Sequence, residues 1–319
     1  MCGTTLAWCQ GTKLAPFKFR HDAHRDIEFL EPIGAGLHSQ VFRAKIDGQI
    51  YAVKLFRFTH HRELAPPTFF NHGLVSVDEI INNYDPFYCE CRAYGRLKEV
   101  GREDLAARCY GYLLLRPDQE VELNRRGCQD FWHRRPATKG RPIRGIVKEY
   151  IPGCDVPFVF NDLPRMKRDI KALNRRLGIV NWDVREDNYR GGLLIDFSQA
   201  HTAPHMQLDF TSKLFTSASV MECCVRDQAC FDNMVERWNE SHPQRKFWHF
   251  FLPNAQFGIN LRDKSRYRLS FYKQEGASLV AAFYDWKKNK PAKRTAAVLN
   301  QMRRIQEGRV DKATRRNAT

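Results

Sequence analysis

No stretch of this chain runs for the ~18–20 uninterrupted apolar residues that a membrane-spanning helix needs, so no transmembrane segment is expected. The first residues, MCGTTLAWCQGTK, lack a basic segment leading into an apolar one, and secretion is not expected. Met1-Cys2 is not the Met-Gly start of a myristoylation signal. Ten cysteines are present, yet no two are spaced CxxC and no paired zinc-ligand spacing occurs. That excludes a zinc ribbon or a CxxC redox motif and leaves reduced, buried thiols, as for Cys109 in ARCYGYLLL. His21 and His24, and His60 and His61, sit in polar segments without a carboxylate or thiol set around them, so no metal is expected there. Acidic residues are in deficit, 36 against 52 Lys and Arg, for a net charge of +16. A solvated basic surface satisfies that excess, and so does a nucleotide, nucleic acid or acidic protein partner.

What is present argues for a folded protein. The chain has 319 residues, 43% hydrophobic and 12% aromatic, enough for one large or two small domains with ample core. Residues 1–25 read as a flexible lead-in. The first convincing strand is Asp26–Ile33. It enters a turn at Gly34 and Gly36, where backbone can approach a phosphate closely. Strands Val41–Ile46 and Gln49–Phe56 follow, joined at Asp47-Gly48, a strong type I′ hairpin signal. Lys54 lies inside the second of these, in YAVKLF, and must face something polar or solvent.

Residues 57–86 read as an insertion rich in Pro, His and Asn. A helix is predicted over Phe87–Val100, with Asp85 as cap and Pro86 in the first turn. Cys109–Leu115 reads as a buried strand, 121–144 as an exposed basic loop, and Ile143–Ile151 as a strand ending at Pro152-Gly153. Leu163, Met166, Ile170, Leu173 and Leu177 form one apolar stripe, predicting a helix capped by Asp162 and stopped by Gly178. It leads into a polar loop in which Asp183 is followed by Asn188 and then by Asp196, with apolar anchors Ile179, Val180, Leu193, Leu194 and Ile195 at both ends. Three short oxygen-bearing side chains on such a loop suit a magnesium–phosphate site, because Mg²⁺ takes hard oxygen ligands. Helical-looking pieces recur in 206–286, among them KLFTSASVMECCV, NMVERWNESH, KFWHFFLP and SLVAAFYDW. The end of the chain, 287–319, carries eleven Lys and Arg, a pattern fit for nuclear targeting or nucleic-acid contact.

A glycine turn, a hairpin, a strand lysine, a helical glutamate and the Asp183–Asn188–Asp196 spacing together resemble the protein kinase superfamily. The segments DPFYCECRAYGRL, PIRGIVKEYI and VREDNYRGGLLIDFSQAHTAPH further resemble a fungal kinase-like family of Sim-four kinetochore complex subunits. The resemblance implies an α+β bilobal kinase-like fold: a small antiparallel sheet with one helix, then a mainly helical lobe. The first lobe would be 26–147, carrying the insertion at 57–86 and the basic loop at 121–144. The second would be 148–290, followed by a basic tail at 291–319.

The resemblance also implies ATP and Mg²⁺ as cofactors. Gly34, Gly36, Ser39, Val41 and Ala52 would line the nucleotide, with Glu149 and Ile151 at the adenine-contacting strand end. Lys54 would hold the α- and β-phosphates, with Glu90 orienting it; Glu79 and Glu99 are weaker alternatives for that glutamate. Asn188 and Asp196 would bind the metal, Asp183 would orient an acceptor hydroxyl, and Arg185 would stand near the transferring phosphate.

This sequence departs from the kinase pattern at Ser39 for the third glycine and at Lys148 for an apolar residue. Asn181 stands for His, Trp182 for Arg, and Ser198 for Gly, and the segment after Asp196 is short. Three functions follow: an atypical phosphotransferase acting on a protein or small molecule, a catalytically weak or inactive kinase-fold scaffold in a nuclear kinetochore or chromatin complex, and a nucleic-acid binder. The last ranks lowest, having charge but no helix-turn-helix or zinc pattern. The expected location is nucleus or cytoplasm, with the nucleus favoured.

Overall fold

Asp47 and Gly48 both adopt positive φ, 51° and 82°, and turn β2 (Ser39–Ile46) back onto β3 (Gln49–Phe56) as a type I′ hairpin. In this computed structural model the described residues are 12–20, 26–64, 75–153, 156–208, 214–215, 217–249, 251, 284–285 and 290–291. They fall into two units, Met1–Val156 with Leu193–Gln199, and Pro157–Gly192 with Ala200–Thr319. The basic tail at 291–319 lies outside the described residues apart from Pro291, which pairs in a short hairpin with Tyr284. Tyr284 and Asp285, expected within a helical piece, are extended there. Among the described residues no helix is long and apolar enough to cross a membrane.

The first unit is built on five antiparallel strands in the order β1-β2-β3-β5-β4, with β1 at Ile27–Ala35, β4 at Cys109–Leu114 and β5 at Arg144–Glu149. Phe29, Phe42, Ala44, Val53, Leu55 and Val147 meet in an apolar core with Leu123, Cys128 and Trp132. This corrects the reading of 121–144 as an exposed basic loop. Residues Pro117–Leu123 form a helix, α4, and short turns carry the chain on to Trp132, which is 1% exposed. The arginines stay at the rim while the apolar residues between them are drawn down onto the sheet. Arg134 pairs with Glu120, its Nε 2.7 Å from Oε1, and lies 4.8 Å over the Phe58 ring.

Among its described residues the insertion at 57–86 carries helices α1 (His61–Leu64) and α2 (Val77–Tyr84), the second closed by a Ser76–Glu79 capping box. Helix α3 (Pro86–Glu99) begins as predicted: the Asp85 carboxylate accepts from Phe87 N at 3.0 Å. The same carboxylate takes both Nη groups of Arg144 at 3.1 Å, tying the helix start to β5.

The flexible lead-in needs correcting over 12–20. Phe17 N donates to Tyr112 O at 2.7 Å and Tyr112 N to Ala15 O at 3.1 Å, so this segment adds a parallel bridge along the β4 edge. Thr12 Oγ1 donates to Arg92 O of α3 at 3.0 Å, and Leu14 is buried. Two glycines make room for it. A Cβ on Gly95 would lie 2.7 Å from Lys13 C, and one on Gly111 would lie 2.5 Å from Phe17 N.

In the second unit, α5 (Leu163–Ala172) continues into one wide turn, Leu173–Leu177, that ends at Gly178 with φ 67°. All five residues of its apolar stripe are buried. Asp162 stands at the expected N-cap position, but its side chain makes no cap bond to this helix. A short turn over Phe160–Asp162 precedes the helix, and the Asp162 carboxylate reaches back to accept from Val159 N at 2.9 Å. Two of the predicted helical pieces merge into α6 (Ser217–Ser241), whereas Lys246–His249 have no regular structure. Ile179–Val180 pair antiparallel with His201–Thr202 and so frame the polar loop.

Candidate functional site

Cross-strand partners share a face of a sheet, as do residues two apart along a strand. Val41, Lys54 and Ile146 therefore form one row, and Arg43, Ala52 and Lys148 the next, on the face opposite the apolar core. Lys54, 1% exposed, cannot be left unpaired there. Its Nζ donates to Glu90 Oε2 at 2.7 Å and to Asp196 Oδ1 at 2.6 Å. Lys148 completes the cluster: its Nζ donates to Glu90 Oε1 at 2.8 Å and to Ile195 O at 2.7 Å. Both oxygens of Glu90, which is fully buried, are thus occupied by ammonium groups.

Burial alone would push the Lys54 ammonium down, but the Asp196 and Glu90 carboxylates overcome it and the pKa is raised. Burial would likewise raise the Asp196 carboxyl; Lys54 and Lys148, with a 2.7 Å bond from Ser198 N, instead hold it well below the usual carboxylate range. Both groups are therefore charged at neutral pH. Of the three glutamates considered for pairing with Lys54, only Glu90 meets it. Glu79 is bound in its capping box, and Glu99 lies 3.3 Å from Arg96 Nε.

Gly34 pairs with Val41, and Gly36 N donates to Ser39 O at 2.9 Å, closing a loop at the exposed end of β1. Ser39 itself is buried at the start of β2. His38, at the loop tip, has its pKa lowered by burial first, then by Arg57 and Lys54, and its Nδ1 is buried without a partner. Ala52 is buried beside Lys148, Glu149 ends β5 with its side chain exposed, and Ile151 follows half-buried. Among the described residues no group of three or more His, Cys, Asp and Glu side chains is placed to hold a metal ion. The cluster around Asp196 holds two carboxylates, Glu90 and Asp196, and two ammonium groups, Lys54 and Lys148, a net charge of zero.

The polar loop of the second unit holds the remaining predicted residues. Asn188 Nδ2 donates to Asp183 O at 2.7 Å and to Asp183 Oδ2 at 2.8 Å. Arg185 Nε lies 3.2 Å from Asp183 Oδ1, with the arginine side chain largely exposed. Asp183, Arg185 and Asn188 are thus brought together, and the amide oxygen of Asn188 is left outside these bonds.

The residue that fixes this loop was missed from the sequence. Asp227, on α6, accepts from Asn181 N at 2.7 Å, Trp182 N at 2.8 Å and Asn174 Nδ2 at 2.8 Å. Burial pushes its carboxyl up, and those three donors oppose the shift. Its signal was an acid standing in the buried stripe of a helix, between Cys223 and Phe231. With that support Trp182 holds a left-handed φ of 66°. Its ring packs under Arg226 at 4.4 Å, and its Nε1 lies 3.1 Å from Cys223 Sγ. An aromatic plug therefore occupies the position just before Asp183.

Residues 3–201, more than half of the chain, match the family described as FTA2, kinetochore Sim4 complex subunit FTA2. No curated protein matches the chain.

Proposed function

The chain belongs to the kinetochore Sim4 complex subunit FTA2 family, and from that premise we propose that it works as a subunit of a nuclear kinetochore protein complex, built on a kinase-like fold. The observation that carries this is the extent of the match, since residues 3–201 include every candidate site residue in both units. The fold reading is supported by the strand order β1-β2-β3-β5-β4, by the α3 glutamate on the β3 lysine, and by a polar loop braced from a helix aspartate. In this reading the first unit keeps a nucleotide pocket lined by Gly34, Gly36, Val41, Ala52, Glu149 and Ile151, and binding there steadies the subunit rather than driving turnover.

To test it, the full chain is tagged and imaged in its own cells beside a centromere marker, with Lys54→Ala and Asp183→Asn in parallel. Discrete nuclear foci at centromeres, kept in both variants, are expected. A cytoplasmic distribution would overturn the proposal.

A second reading, an ATP-dependent phosphotransferase, is favoured by the 2.7 Å Lys54–Glu90 bond and the Asp183–Asn188 pair. Lys54 would hold the α- and β-phosphates, Asp183 would orient the acceptor hydroxyl, and Asn188 and Asp196 would hold Mg²⁺. Phosphate transfer by the wild-type chain that disappears in Asp183→Asn would establish it, and equal transfer by both would remove it.

A further inference from the structure

We propose that the Lys54 site takes the triphosphate of a nucleotide without a divalent cation, because Lys148 supplies positive charge that a metal would otherwise bring. The inference rests on the nucleotide pocket proposed above. Lys54, Glu90 and Asp196 alone carry one positive and two negative charges, a net −1 that repels a bare triphosphate. A site of that charge needs a dication to bridge carboxylate and phosphate. Lys148 changes the count to zero. Its Nζ lies 2.8 Å from Glu90 Oε1 and is almost fully buried, where charges are weakly screened.

Lys148 also works against the metal directly. It donates to the carbonyl of Ile195, the residue before Asp196, and so places a second ammonium beside the one carboxylate that would hold Mg²⁺. That carboxylate already accepts from Lys54 at 2.6 Å and from Ser198 N at 2.7 Å through the same oxygen. A dication would be left the other oxygen, Oδ2, and would meet the charge of two ammonium groups there. A phosphate oxygen is instead attracted by both ammonium groups, and Lys54 has one N–H donor beyond those on Glu90 and Asp196. His38, with a buried Nδ1 lacking a partner and within electrostatic reach of Lys54 and Asp196, adds an imidazole held toward its neutral form on the glycine-loop side.

The test is calorimetric binding of ATP to the full chain, in EDTA and again with excess magnesium, for wild type, Lys148→Met and Lys148→Gln, each checked for fold by circular dichroism. Wild type should bind ATP in EDTA within about threefold of its affinity with magnesium. Both variants should lose about tenfold or more in EDTA, the effect of one nearby unit charge, while binding with magnesium persists. Binding by wild type only with magnesium would overturn the inference and leave the nucleotide pocket standing. EDTA binding unchanged in both variants would overturn it too. No ATP binding under either condition would remove the pocket itself. Should neither variant fold, the wild-type comparison alone decides.

Discussion

Replacing Glu90 by Gln should be among the most damaging single changes in the first unit, out of proportion to the one heavy atom altered. The Glu90 carboxylate is fully buried and accepts from Lys54 at 2.7 Å and Lys148 at 2.8 Å. A glutamine keeps one acceptor oxygen and turns an NH₂ group toward the other ammonium, donor against donor. Lys54 would retain Asp196, but Lys148 would keep only the neutral Ile195 carbonyl. Removing one partner of a buried ion pair typically costs about 3–5 kcal/mol. At ~2–4 °C per kcal/mol for a folding unit of ~150–250 residues, the melting midpoint of the first unit should fall by roughly 6–20 °C.

Lys148→Met is the contrast. It leaves Glu90 with Lys54 and puts an apolar chain of similar length in the sheet, so it should cost less than Glu90→Gln. In the double variant no ammonium is stranded, and its loss should fall short of the sum of the single losses by ~1–3 kcal/mol. Urea denaturation of the full chain, followed by far-ultraviolet circular dichroism, measures all three. A Glu90→Gln midpoint within about 1 kcal/mol of wild type, or strict additivity, would refute the charge cluster as the cause.

Three further outcomes are expected. Burial raises the Asp196 carboxyl, but Lys54 and Lys148 hold its folded pKa below the ordinary value, so its contribution is full above about pH 4 and lost as the pH falls further. The stability advantage of wild type over Asp196→Asn should therefore stay level between pH ~7 and ~5 and shrink below pH ~4; denaturation midpoints across that range check it. Gly95→Val should push the 12–20 segment off α3, since even a Cβ there falls 2.7 Å from Lys13 C, and limited proteolysis should then cut before residue 20 faster than in wild type. Asp227→Ala should cost about 3–5 kcal/mol by orphaning the amides of Asn181 and Trp182 and the side chain of Asn174, read as a lowered urea midpoint.

The features legible in the sequence were those set by neighbours in the chain. Asp47-Gly48 fixes a hairpin by its own dihedral preferences, and Asp85-Pro86 starts α3 by its own chemistry. The stripe from Leu163 to Leu177 needs only helical spacing. What was not legible depends on distant partners. Lys148 stood out as a charge in an apolar strand, but its partner Glu90 is 58 residues away. The packing of residues 12–20 is written in Gly95 and Gly111 rather than in the segment itself. In 121–144 the arginines dominate the composition, while Leu123, Cys128 and Trp132 decide where the chain lies. Asp162 holds the N-cap position without a side-chain cap bond because the turn before it already uses its carboxylate.

The residues that match the family end at 201, yet the polar loop inside them is not self-supporting. Trp182 keeps a left-handed φ of 66°, a conformation that costs a bulky residue about 1–2 kcal/mol and persists only where its surroundings over-determine it. Here the over-determination comes from Asp227 on α6, which takes both the Asn181 and Trp182 amides. On the same helix Cys223, one turn earlier, and Arg226, the preceding residue, grip the Trp182 ring. The orientation of Asp183, the next residue, follows from that grip and from the two bonds of Asn188. The loop is therefore a joint property of the family-matched segment and of a helix beyond it. Changes on the buried stripe of α6 reach Asp183 through Asp227 and Trp182 without touching it.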